Sequence, residues 1–146
     1  MFNIAVTAFF FSLLATLSMS EAAVSRQRAL FSEAAVLSQS VALYGAKVAQ
    51  YTSANAGFSG TAADAALGLP AYYAKFPGTG NVVSGGRSYI YMSGVAVGVQ
   101  GYVYRNLGKS GATVGYAAGG RLISPGGRDQ GALPGGIPAG AVVLVL

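Results

Sequence analysis

Residues 23–51 read AVSRQRALFSEAAVLSQSVALYGAKVAQY. Within them Ala23, Gln27, Leu30, Ala34, Leu37, Val41, Tyr44, Val48 and Tyr51 follow alternating steps of four and three, and all but Gln27 are apolar. Such spacing keeps side chains on one helical face. Ser25, Arg26, Ser32, Glu33, Gln39, Ser40 and Lys47 fall off that seam. The stretch predicts an amphipathic helix. Its seam, Leu30, Ala34, Leu37, Val41, Tyr44, Val48 and Tyr51, is expected to pack on the rest of the chain, with its exposed upper part open to partner helices.

Toward the N-terminus the helical character does not stop. Neither Gly nor Pro occurs from Met1 to Tyr44, and residues 2–20 carry no charged side chain. As a helix that segment is about 28 Å long at 1.5 Å per residue. This length suits the hydrocarbon core of a bilayer. Two readings follow. In the first, residues 1–22 are a transmembrane anchor running into a domain at residues 23–146. In the second they are an export signal, with Ile4–Leu17 as its apolar region and cleavage near Ser20, after the small-x-small pattern Ser18-Met19-Ser20. The apolar run has no Lys or Arg before it, and helical spacing continues through the cleavage pattern, which favours the anchor. Arg26 and Arg28 follow the segment, so the positive-inside rule votes for a cytoplasmic domain.

Toward the C-terminus, Asn55 and Gly57 suit a helix end between Tyr51 and Ala56. Gly45, inside the helix, costs about 1 kcal/mol against Ala and marks a close contact or a bend. Thr61 with Asp64 three residues on resembles a capping box for a short helix over Ala62–Leu67, stopped by Gly68 and Pro70. Tyr72, Tyr73 and Phe76 read as a packing plug, and Pro77–Asn81 as a turn. From Ser88 the apolar period becomes two. Ser93-Gly94 is expected to turn a hairpin into a strand through Val95, Val97 and Val99, continued by Tyr102–Arg105. A loop at residues 106–111, a strand at Ala112–Ala117, a turn at Gly119-Gly120 and a short strand at Arg121–Ser124 come next. Pro125–Gly140 reads as a loop. Ala141–Leu146 is apolar throughout and belongs inside a sheet, since an exposed edge of this kind aggregates. The fold class is α+β: a long N-terminal helix, membrane-spanning in its first part, packed on a four- to five-stranded antiparallel sheet.

Composition narrows the function. The chain of 146 residues is 53% hydrophobic, with 22 glycines and only nine basic and four acidic residues. Its net charge of +5 is scattered rather than clustered, which argues against nucleic acid as a partner. Cys and His are absent, so thiolate or imidazole metal sites, disulfides and His-based acid–base catalysis are excluded. Gly108-Lys109-Ser110 resembles the end of a phosphate loop, but the glycine required five residues before Gly108 is Val103. Gly-Gly-Arg occurs at residues 85–87, 119–121 and 126–128, and reads as three turns, each followed by a solvated arginine. Glu21, Glu33, Asp64 and Asp129 show no pairing in the sequence. No residue is assigned a catalytic, cofactor-binding or metal role, and a non-enzymatic protein is expected.

An apolar helix running into an amphipathic one, then a small Gly-rich sheet, resembles the layout of type IV pilins and pseudopilins. Those proteins have a basic leader, cleavage before the apolar run and an early glutamate in the mature chain. Here no Lys, Arg or Glu precedes Ser20 and Glu21 follows the apolar run, so the chain is expected to differ from a processed pilin subunit. Leu67-Gly68-Leu69-Pro70, Gly78-Thr79-Gly80-Asn81, and the close from Leu133-Pro134 through Ile137-Pro138-Ala139-Gly140 to the terminal valines resemble instead the PilM family of small thin-pilus proteins from type IVb-like systems. The resemblance implies a pilin-like fold and a single-pass protein of the bacterial inner membrane with its C-terminal domain in the periplasm. It further implies a basal or pilin-transport role in type IV (thin) pilus biogenesis, with the lipid bilayer, other pilus-assembly or pilin proteins and copies of itself as candidate partners. The export-signal reading implies a soluble binding module or a minor pilin or adhesin-like subunit.

Overall fold

The computed structural model describes the backbone of residues 2–146 and the side chains of Glu21 and residues 23–146. Helix α1 runs from Phe2 to Ala54, 53 residues, or about 80 Å at the usual helical rise. It ends inside the expected interval. The Asn55 side chain donates to the Tyr51 carbonyl at 2.8 Å, and Gly57 takes a positive φ of 85° that frees the chain from the helix. The expected anchor or signal at residues 1–22 lies, but for Glu21, outside the residues described with side chains. Among the described residues no helix is long and apolar enough to cross a membrane.

Six antiparallel strands form one sheet: β1 (Thr79–Ser84), β2 (Arg87–Met92), β3 (Thr113–Ala118), β4 (Arg121–Ile123), β5 (Asp129–Ala132) and β6 (Val142–Val145). Their order is β1-β2-β6-β3-β4-β5. The β6 strand sits in the middle, with Ile90 opposite Leu144 on one side and Val114 opposite Leu144 on the other. This placement gives the apolar C-terminal run partners on both edges. The alternation of its side chains sends Val142 and Leu144 toward α1 and Val143 to the opposite face. There Val143 meets Ala117 and Leu122 beneath Leu133 and Ile137.

Helix α2, Val97–Gly108, corrects the strand expected from Val95 to Arg105. Two apolar periods compete in this segment. Val95, Val97 and Val99 alternate, whereas Val99, Val103 and Leu107 recur every fourth residue. The second set is buried against α1, and Val97 is exposed. Burying three large side chains, each worth about 1.5–3 kcal/mol, outweighs the alternation. The loop expected at residues 106–111 is therefore the last turn of α2 and its exit.

Three smaller expectations also change. The sheet has six strands rather than four or five. One addition, β1, begins at Thr79 within the expected turn. The other, β5, lies in the expected Pro125–Gly140 loop, and its residues Asp129, Gln130, Gly131 and Ala132 carry no apolar alternation. The helix expected at Ala62–Leu67 is a single 3₁₀ turn, Asp64–Ala66, with no side-chain cap. Asp64 is engaged elsewhere.

The main core lies between α1 and α2 on one side and the sheet on the other. Ala34, Leu37, Val41, Tyr44 and Val48 are buried in it together with Ile90, Met92, Val99, Val103, Val142 and Leu144. Gly45 lies where α1 comes close to the sheet. A Cβ there would stand 2.9 Å from the Leu146 side chain and 3.3 Å from that of Ile90. Val41→Asp is expected to abolish cooperative thermal unfolding followed by circular dichroism, because an unpaired buried charge costs about 5 kcal/mol. Val36→Asp, on the exposed side of the same helix at 66% accessibility, is expected to leave the transition nearly unchanged. Equal melting of both variants would contradict this packing.

Candidate functional site on the long helix

The structure divides the predicted seam. Ala34, Leu37, Val41, Tyr44 and Val48 are buried within the chain, while Leu30 and Tyr51 at its two ends are half-buried. A partner could reach only these ends without displacing the domain. Residues 23–29 are exposed along α1, and burial begins at Leu30.

Beside the seam, α1 and α2 leave a groove made of two adjoining hollows that share Phe31. The hollow nearer the C-terminal end of α1, about 330 Å³, is lined by Ala35, Ser38, Gln39 and Ala42 of α1 and by Asn106, Leu107 and Ser110. The other, about 400 Å³, is lined by Val24, Gln27, Arg28, Phe31 and Tyr102. The ring of Phe31 meets Tyr102 edge-on, with centroids 5.9 Å apart and planes at 89°. The Arg105 guanidinium lies over the Tyr102 ring at 5.3 Å. Phe31 is still 52% exposed and Val24 45% exposed. Sequence reasoning missed this groove, because Phe31 lies off the seam and Tyr102 and Arg105 were expected in a strand. The four-residue spacing of Val99, Val103 and Leu107 was the available signal.

A polar cluster fastens the 61–76 segment to α1. Tyr44 donates to Asp64 Oδ1 at 2.7 Å and accepts from Asn81 Nδ2 at 2.8 Å. Asn81, itself buried, also donates to the Ala62 carbonyl at 2.9 Å and accepts from the Ala62 amide at 2.8 Å. Lys75 pairs with Asp64 and stands 5.4 Å above the Tyr44 ring. Tyr73 stacks on Tyr44 with centroids 6.2 Å apart, and its hydroxyl donates to the Ser40 carbonyl at 3.2 Å. Of the expected aromatic plug, Tyr73 and Phe76 pack against the core, while Tyr72 is exposed. Burial, then the hydrogen bond to Asp64, pushes the Tyr44 phenol well above its usual range, so it remains a neutral donor. Partial burial acts to raise the Asp64 pKa, but the hydrogen bonds from Lys75 and Tyr44 outweigh it and hold the carboxyl below its ordinary value.

The remaining motifs lie apart. Arg121 pairs with Asp129 across the β4–β5 hairpin, and Glu21 and Glu33 are exposed on α1. Among the described residues no group of His, Cys, Asp or Glu could hold a metal ion. Gly85-Gly86 and Gly119-Gly120 turn the β1–β2 and β3–β4 hairpins with positive φ at both positions, as a two-residue hairpin turn requires. Gly108-Lys109-Ser110 stands at the C-terminal end of α2, where carbonyls rather than amides are exposed.

The polar cluster generates two expectations. Asn81→Leu strands the Ala62 amide and carbonyl and is expected to cost on the order of 3 kcal/mol in denaturant unfolding. A carboxyl depressed in the folded state contributes stability above its unfolded pKa of about 4, and that contribution is lost as pH falls through the lower folded value. The melting temperature should therefore fall below about pH 4. The fall should be smaller in Asp64→Asn, with the rest due to Asp129, whose pKa is lowered by its hydrogen bond from Arg121.

Comparison with known proteins bears directly on this chain. The family model for PilM matches residues 8–145. A solved structure of a protein assigned to PilM from Pseudomonas aeruginosa 2192 is 36% identical, over 77% of this chain and 92% of that one, with a TM-score of 0.49. A second, from a protein assigned to PilM in Escherichia coli B7A, is 22% identical over 83% of this chain and 94% of that one, with a TM-score of 0.57, a likeness of fold. No curated protein matches the chain. With nearly its whole length matched by the family model, the chain belongs to the PilM family.

Proposed function

We propose that the chain is a non-enzymatic, membrane-anchored component of type IV (thin) pilus biogenesis, acting as a basal or pilin-transport assembly protein. Family membership points to pilus biogenesis. The observation that carries the anchoring is the continuity of α1. One helix runs from Phe2 to Ala54, its first part has a membrane-length uncharged sequence, and its second part is built into the core. In this reading residues 1–22 retain the protein in the inner membrane with a single pass, and residues 23–146 stand in the periplasm. The described carboxylates support a non-enzymatic role, since Asp64 and Asp129 are each engaged by a cation and Glu21 and Glu33 stand apart on α1. Partners would be other pilus-assembly or pilin proteins, reached through the exposed part of α1 and the ends of its seam at Leu30 and Tyr51.

The competing reading rests on Ser18-Met19-Ser20, which would release a soluble subunit. Cell fractionation followed by N-terminal sequencing separates the two. Met1 is expected to be retained, in a membrane fraction that only detergent extracts. A soluble chain starting near Glu21 would overturn the proposal. A C-terminal alkaline phosphatase fusion is expected to be active, as a periplasmic domain requires.

A further inference from the structure

We propose that the hollow lined by Val24, Gln27, Arg28, Phe31 and Tyr102 is a site for an anionic phospholipid of the membrane surface. The inference rests on the anchored reading above.

Four observations carry it. The first is position. The uncharged run of residues 2–20 is followed by Glu21 and then Ala22-Ala23-Val24, so the hollow begins where an anchored helix leaves the hydrocarbon. From Val24 to Phe31 the helix rises only about 10 Å, close to the depth of a headgroup layer. Side chains on a helix lean toward its N-terminus, which here aims Arg28 and Phe31 back at the bilayer.

The second is chemistry. Arg28 brings a guanidinium to the wall, and Gln27 and Tyr102 bring side chains capable of hydrogen bonding. Val24 and Phe31 supply an exposed apolar surface. A phosphate with its glycerol and first methylenes presents the complementary sequence of groups: charge, hydrogen-bonding oxygens, then hydrocarbon. A volume of about 400 Å³ holds such a fragment.

The third is charge balance. Arg28 lines the hollow, Arg105 reaches over the Tyr102 ring that forms its other wall, and Arg26 is exposed two residues before Arg28 on α1. None of the three is in an ion pair among the described residues, although Glu21 and Glu33 lie on the same helix. A negatively charged surface attracts exposed cations of this kind. Aromatic rings beside basic residues suit the interfacial zone.

The fourth is the direction of α2. Gly98 lies against Leu30, while Leu107 and Ser110 lie against the stretch from Phe31 to Ala42, so α2 starts at the same end of the domain as the hollow. Val97, in the first turn of α2, is exposed at that end.

The test uses the full-length chain carrying F31W in lipid nanodiscs. The chain has no Trp, so one indole reports from the hollow. Its fluorescence is read against brominated phosphatidylglycerol or brominated phosphatidylcholine at equal mole fraction. Quenching should be stronger with the anionic lipid. Arg28→Gln in the F31W background should reduce that preference about fivefold, the scale of one basic residue near an anionic surface. Lys109→Gln removes the same charge at the far end of α2 and should leave it unchanged. Added inorganic phosphate should not reverse it; reversal would assign the hollow to a free anion and overturn the lipid. A chain that stays in the nanodisc but is quenched equally by both lipids would overturn the site while leaving the anchor intact, and would leave the groove to a protein helix. A chain that elutes without lipid would overturn anchor and site together.

Discussion

The fold depends on burying the seam of α1 against strands that arrive from distant parts of the sequence. Val142 and Leu144 of β6 and Ile90 and Met92 of β2 meet Leu37, Val41, Tyr44 and Val48 in a single core. Few of these contacts are local. An amphipathic helix gains most of its stability from such packing rather than from propensity, so the part of α1 inside the domain and the sheet specify one another. The central position of β6 gives the apolar end of the chain hydrogen-bonded neighbours on both edges. It also leaves polar, glycine-rich β5 at one margin, where exposed backbone does least harm.

Within this frame the polar cluster around Tyr44 is a positional device. The seam presents one tyrosine amid aliphatic residues, and its hydroxyl is placed where Asp64 and Asn81 converge. Every hydrogen-bonding atom of the Asn81 side chain is committed, to Ala62 of the loop and to Tyr44 of α1, apart from the usual second lone pair. Buried polar groups satisfied to this degree specify a unique arrangement, because any slip of the loop strands them. The segment from Thr61 to Phe76 buries Ala62 and Leu67 in the core and packs Leu69, Tyr73 and Phe76 against it, and the polar cluster adds the directional contacts that set its registration on the helix.

Legibility in the sequence followed the density of apolar periodicity. The seam runs through eight turns with one polar interruption, and it reads plainly as a helix. The C-terminal run Ala141–Leu146 reads equally plainly as an interior strand. The groove was illegible because it is made by Phe31, which is off the seam, and by Tyr102 and Arg105, whose segment carries two conflicting periods. Gly98 and Gly101 weakened the helical signal further, since both residues lower helix propensity. Strand β5 left no hydrophobic pattern, and β1 was hidden because Gly78-Thr79-Gly80-Asn81 has the composition of a turn. Asn81 illustrates the ambiguity: the residue type favoured in turns is here a buried strand position that serves the backbone of another segment. The likeness to PilM proteins came from layout and short motifs, and the family model matches over nearly the same span.

The continuity of α1 has a mechanical side. Sharp kinks in helices arise chiefly at proline, glycine, bulges or inserted groups. From Met1 to Tyr44 the sequence offers neither proline nor glycine, and the first glycine, Gly45, is wedged against Leu146 and Ile90. The most pliable point of the shaft is thus clamped in the core. A tilt or twist imposed near the N-terminal end has no joint at which to dissipate, so it reaches the β-sheet as leverage on the whole body.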